Sequence, residues 1–163
     1  MQLYFRDNFF NAGLTDIRND AGEPVGQVDL RSAFGSALDI YGRGGNRLYG
    51  GQFPLLSNRW TVMDGAGEEC GELRQRMSFF SKHYEYDAYG RGVYEITSPA
   101  FSGEYEVTAE NGMLAASFRK VSGWLEPSAY CLDNRTSAVD SFEWIAVVLG
   151  MHEIQKRRRN ASM

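Results

Sequence analysis

Five turn sequences recur along the first three quarters of this chain: NDAGEPVG, GRGGNRLYG, DGAGEECG, DAYGRGVY and AENGMLAA. Aligned on Gly22, Gly45, Gly67, Gly90 and Gly112, they advance in steps of 23, 22, 23 and 22 residues. A β-branched residue stands five positions before four of these glycines, at Ile17, Ile40, Val62 and Val107; in the copy at Gly90 the pattern slips by one, to Tyr86. Four positions after each glycine come Gly26, Tyr49, Gly71, Tyr94 and Ala116. Glycine supplies the positive φ that tight hairpin turns need. The flanks alternate apolar and polar, as in Tyr84-Glu85-Tyr86-Asp87 and Tyr105-Glu106-Val107-Thr108, which marks strands with one wet face. One β-hairpin per period gives an antiparallel sheet of about 10–12 strands, and a sheet of that size curls and closes.

The punctuation stops after Cys131, and SFEWIAVVLGMHEIQKRRR follows at Ser141–Arg159. Phe142, Ile145, Ala146 and Leu149 form one helical stripe, while Trp144, Val147, Val148 and Met151 fill the other sides. A helix apolar all round must be buried all round. The run from Trp144 to Met151 would rise only ~12 Å as a helix, against ~30 Å of hydrocarbon, so it cannot span a bilayer. The enclosure available is the barrel itself, so the sequence predicts a closed antiparallel β-barrel around a C-terminal apolar helix. Ser137-Ala138-Val139-Asp140 matches a capping box, which predicts a helix over 137–156. A basic tail, 157–163, would follow where the helix meets water, with Lys156, Arg157, Arg158 and Arg159 complementing the negative end of its dipole.

At 163 residues the chain reads as one domain, and a net charge of −4 argues against a nucleic-acid binder. Two cysteines, Cys70 and Cys131, are too few for a disulfide framework, and MQLYFRDNFF lacks the apolar core of a signal peptide. Cytoplasmic residence is the resulting expectation, and the sequons at Asn134 and Asn160 are then chance matches.

The segment YEVTAENGMLAASFRKVSGWLEPSAYCLDN resembles the penultimate hairpin of the tubby-like barrels, and in particular of the LURP-one-related proteins. Val107, Gly112, Ala115, Lys120 and Trp124 fall on that pattern. EWIAVVLGMHEIQK is similar to the family's core helix, with Gly150-Met151-His152-Glu153-Ile154 at its terminal turn, where the family's Asp is either replaced by Glu153 or absent. The resemblance implies a barrel threaded by its C-terminal helix. It also implies kinship with tubby proteins, which bind phosphoinositides, and with the lipid-associated phospholipid scramblases. It brings no catalytic residue.

Chemistry leaves few marks. The glycine-rich stretches lack phosphate-loop spacing, and the acidic loop Asp64–Glu69 lacks the alternating ligands of a calcium site. His83 and His152 are not at metal-ligand spacing from either cysteine, so no metal or cofactor is expected; a Cys–His catalytic pair could form only in space, without a local signature, and an enzyme is the less favoured reading. RQRMSFFSKHY, residues 74–84, sets Arg74, Arg76 and Lys82 around Met77, Phe79 and Phe80, the basic-aromatic mixture of a peripheral membrane contact. With the helix-end cluster Lys156–Arg159, these are the candidate contacts with anionic lipid or a protein partner; the plain alternative is that they are core and solvated surface. A non-catalytic binding module, at the membrane periphery or bound to protein, is therefore the leading expectation. A lipocalin-type or fatty-acid-binding-type carrier and a purely structural protein are the alternatives.

Overall fold

In a computed structural model describing residues 1–6, 13–31, 37–78, 82–98, 103–121 and 129–163, the chain forms twelve strands and one long helix. The strands are β1 (Gln2–Arg6), β2 (Gly13–Arg18), β3 (Pro24–Leu30), β4 (Ala37–Gly42), β5 (Arg47–Gln52) and β6 (Trp60–Asp64). They continue as β7 (Glu69–Gln75), β8 (Lys82–Asp87), β9 (Val93–Ser98), β10 (Tyr105–Ala109), β11 (Leu114–Lys120) and β12 (Ala129–Asn134), before α1 (Ser141–Ala161). Each strand pairs antiparallel with the next, and β1 closes the barrel on β12 from Gln2↔Asp133 to Arg6↔Ala129. The five repeats are the hairpins β2–β3, β4–β5, β6–β7, β8–β9 and β10–β11. The β1–β2 seam is thinner, with Tyr4↔Arg18 as its pair among the described residues.

The repeat has a direct geometric meaning. In the first turn the Gly22 N–H donates to Asn19 C=O (2.9 Å) and the Asn19 N–H to Glu23 C=O (3.0 Å), with Gly22 at φ +77°. Gly45, Gly67 and Gly112 repeat this at +78°, +85° and +80°, as a β-turn followed by a bulge glycine does. The ladder shifts by one residue just after Ile17, Ile40, Val62 and Val107. Their cross-strand partners are Gly26, Tyr49, Gly71 and Ala116, so the two recurring positions of the repeat face one another across each hairpin. Two of the partners have no room for a side chain: a Cβ on Gly71 would fall 2.0 Å from Tyr86 Oη, and one on Gly26 would fall 2.6 Å from Tyr41 C=O and 2.9 Å from Phe142 Cε1.

The helix fills the barrel. Trp144, Ile145, Ala146, Val147, Val148 and Met151 are wholly buried. Trp60 leans inward from β6 and donates from Nε1 to the Ala146 carbonyl at 3.2 Å. It fits only because two glycines flank it, since a Cβ on either Gly51 or Gly150 would lie 2.3 Å from its ring. A mid-helix glycine weakens a helix by about 1 kcal/mol relative to alanine; here it admits the largest side chain of the wall.

The helix boundaries differ from the sequence expectation at both ends. It starts at Ser141, and the capping residue is Asp140, whose carboxylate accepts the Phe142 N–H at 2.8 Å. Ser137 falls instead in a connection folded by side chains: Asn134 Nδ2 donates to Val139 C=O (3.0 Å) and Ser141 Oγ (3.1 Å), and Thr136 Oγ1 accepts the Ala138 N–H (3.1 Å). Ser and Thr side chains offer such local bonds in competition with helix. At the other end the helix runs through Lys156–Arg159 to Ala161, so the basic cluster is its closing turns and not a tail. Among the described residues no helix is long and apolar enough to cross a membrane.

Candidate binding groove

The five tight turns cluster at the barrel end where α1 begins, and the helix C-terminus emerges at the other. There α1 meets the β5–β6 connection and the end of β7 around a groove of about 460 Å³. Five arginines line it: Arg59, Arg74, Arg76, Arg157 and Arg158. Phe53 and Ile154 supply its apolar floor.

Each arginine is placed by a specific contact or by its element. The Arg157 guanidinium stacks 3.6 Å over the Phe53 ring and donates to Ser57 C=O at 3.1 Å. Arg59 and Arg74 share Glu72, at 3.2 and 2.5 Å. Burial favours protonation of the Glu72 carboxyl, but the bonds from these two guanidiniums outweigh it and hold its pKa below the ordinary value. Arg76 pairs with Glu85 across the β7–β8 ladder at 2.5 Å. Arg158 is carried in on the last turns of α1. Among the described residues Glu72 and Glu85 are the carboxylates seen paired with these five guanidiniums, which leaves positive charge in excess, and planar guanidiniums suit carboxylate or phosphate oxygens.

The structure thus joins sequence candidates about eighty residues apart. Arg74 and Arg76 share a groove with Arg157 and Arg158. Lys156 and Arg159 belong to the same helix turns, and Lys82 opens β8, but none of the three is among the described residues lining the groove. Phe79, Phe80 and Trp124 lie outside the described residues. Sequence reading missed Arg59 and Phe53, whose part depends on where the β5–β6 connection lands. It also missed Leu55 and Leu56 in that connection, which are 93% and 99% exposed; two leucines outside any alternating pattern were the available signal.

The opposite end holds a buried ion pair. Glu143 is wholly buried in the first turn of α1, and Arg91 reaches it from the β8–β9 turn at 2.6 and 2.8 Å. Tyr86 Oη donates to the same carboxylate at 2.5 Å, and Arg91 also holds Cys70 C=O at 2.8 Å. Burial first, and then the Glu143 charge, push the Cys70 thiol up to about 12. Such a thiol stays protonated at neutral pH and makes a poor nucleophile. Burial likewise raises Cys131. His152 is buried against Tyr105, with Tyr105 Oη 3.2 Å from Nε2, and His83 lies on the wall 3.7 Å from Glu95. Among the described residues no group of three or more His, Cys, Asp or Glu side chains is placed to hold a metal ion.

No family model matches the chain, and no curated protein does. In three dimensions it is similar to a protein from Arabidopsis thaliana solved by X-ray crystallography. The two superpose with a TM-score of 0.67 over 94% of this chain and 90% of that one, at 12% sequence identity. The two share a fold. At that identity the likeness extends to the architecture and no further.

Proposed function

We propose that this protein is a non-catalytic binding module that contacts anionic phospholipid at the membrane periphery through the arginine groove. The observation that carries this reading is the convergence of Arg59, Arg74, Arg76, Arg157 and Arg158 on one open hollow beside exposed apolar residues. Arginines meeting phosphate oxygens while apolar side chains enter the interface is the physics of peripheral membrane attachment. A helix-filled interior supports a surface function over the alternative of a hydrophobic-ligand carrier, which needs a hollow barrel. The protonated thiol of Cys70 supports a binding role over covalent catalysis. We also place the chain with the tubby-like barrels related to the LURP-one and scramblase proteins, supported by the sequence resemblance and by a twelve-strand barrel closed around its C-terminal helix.

The test is co-sedimentation with phosphatidylglycerol-containing against pure phosphatidylcholine vesicles across a salt series. Binding should require the anionic lipid and weaken with salt. Neutralising Arg74 and Arg76, or Arg157 and Arg158, should weaken it through the same groove. Absence of binding at low salt would refute lipid as the partner and leave an acidic protein surface as the groove's occupant.

A further inference from the structure

We propose that Leu55 and Leu56 form an apolar finger that enters the interfacial layer of an anionic bilayer beside the arginine groove. This inference rests on the lipid reading above and assigns the insertion to named residues. The finger is a turn, Pro54–Ser57, closed by the Ser57 N–H donating to Pro54 C=O at 3.1 Å. Leu56 is its third residue and has φ +59°; no other non-glycine residue described has a positive φ. Turns with positive φ at that position normally carry glycine there, because a side chain crowds the neighbouring carbonyl.

Isolated exposed leucines are ordinary on protein surfaces. This pair differs in three ways. Both side chains stand almost wholly in water, at 93% and 99% exposure. One of them occupies a backbone conformation that glycine would adopt without strain, so the fold gains nothing from a leucine there. Finally, both ends of the loop are fixed. On one side Phe53 packs edge-on against Trp60 at 5.0 Å and lies beneath Arg157. On the other, Ser57 C=O accepts from Arg157, and Ser57 Oγ accepts the Arg59 N–H at 3.1 Å. A loop anchored at both feet cannot fold its leucines back without breaking those contacts.

Charge complementarity selects the occupant. The feet of the loop line the groove that holds five arginines, and Met77, 92% exposed, stands on that groove's β7 side. A partner must offer negative charge to the groove and apolar volume to the leucines at once. The headgroup layer of an anionic bilayer over its acyl chains does this over a whole surface.

The experiment compares wild type, Leu55→Ser with Leu56→Gly, and Arg74→Gln with Arg76→Gln, which pair with Glu72 and Glu85 and not with the loop, on phosphatidylglycerol–phosphatidylcholine vesicles. A Leu55→Cys variant carrying an environment-sensitive fluorophore reports insertion directly. The leucine variant should bind about tenfold more weakly at every salt concentration with an unchanged salt dependence, since it removes apolar burial and no charge. The arginine variant should show a shallower salt dependence, and the probe should shift to the blue on anionic vesicles. Leu56→Gly removes strain, so its melting temperature confirms that the variant is folded. If the wild type binds and the leucine variant binds equally tightly with a silent probe, the finger is wrong and the lipid reading survives. If the wild type fails to bind anionic vesicles at low salt, both fall.

Discussion

Arg91 of the β8–β9 turn holds Glu143 of the helix through both terminal guanidinium nitrogens, Nη1 and Nη2, 2.6 and 2.8 Å from the carboxylate oxygens. The slipped fourth repeat makes this possible. Its closing bond runs from the Arg91 N–H to Ala88 C=O, so Arg91 stands where the other four turns have glycine. Positive φ passes instead to Gly90 and Gly92, at +73° and +111°, and Tyr94 Oη donates to Arg91 C=O at 3.0 Å. What looks like an irregularity in the repeat is the site where the wall grips the helix.

Breaking that grip should be costly. Glu143 is wholly buried, and removing one partner of a buried pair leaves an uncompensated charge worth roughly 3–5 kcal/mol. Arg91→Ala should lower stability by about 3 kcal/mol in urea denaturation. Arg91→Met combined with Glu143→Leu should recover most of the loss. If Arg91→Ala were neutral, the pair would not be holding the helix.

Gly150→Ala should destabilise despite alanine's better helix propensity. The new Cβ would lie 2.3 Å from Trp60 Cδ1, and Trp60 is held by Gly51 behind it and by its bond to Ala146 C=O. Overpacking of this kind costs about 1–3 kcal/mol. In a Trp60→Leu background the same substitution should be close to neutral, which a double-mutant cycle on melting temperatures would show. A rise in melting temperature for Gly150→Ala in the native background would contradict the packing described here.

Leu56→Gly should do the reverse. A left-handed leucine costs roughly 1–2 kcal/mol, and part of that returns as the greater backbone entropy of glycine in the unfolded chain. A net gain of about 0.5–1 kcal/mol should appear as a melting temperature about 2 °C higher. An unchanged or lower value would mean that the leucine side chain contributes to the fold.

Alkaline conditions should weaken the fold over a defined window. Burial pushes Tyr84 up to about 12 from an ordinary 10.0 and Cys70 up to about 12 from an ordinary 9.0. Burial raises Tyr86 and Tyr49 further still. In each case the unfolded chain releases its proton first, so stability is full below about pH 9 and falls as pH rises toward the folded values. Melting temperature should be flat from pH 7 to about 9 and drop above 10. Tyr84→Phe should shallow the drop, and an identical profile for that variant would remove Tyr84 from the cause.

The parts of this protein legible without coordinates are those decided by neighbours in the chain. A glycine three residues after Asn19 or Asp64 sets a turn whatever surrounds it, and alternation then gives each flank a wet and a dry face. An apolar run from Trp144 to Met151 with no polar side requires enclosure on every side. The turn between Asn134 and Asp140 lies at the limit of that reach. Ser137 has the letters of a cap, but bonds from Asn134 and Thr136 fold its surroundings and leave the role to Asp140.

Closure and the groove belong to the tertiary structure. β1 meets β12 across more than 120 residues of chain, and no local preference specifies a pairing of that span. Arg59, Arg74 and Arg157 become neighbours only because the barrel brings the β5–β6 connection and the end of β7 to the mouth from which the helix emerges. Backbone dihedrals and side-chain period are properties of a few consecutive residues. The meeting of distant charges depends on the number of strands, their register and the length of the helix, which exist only once the whole chain has closed.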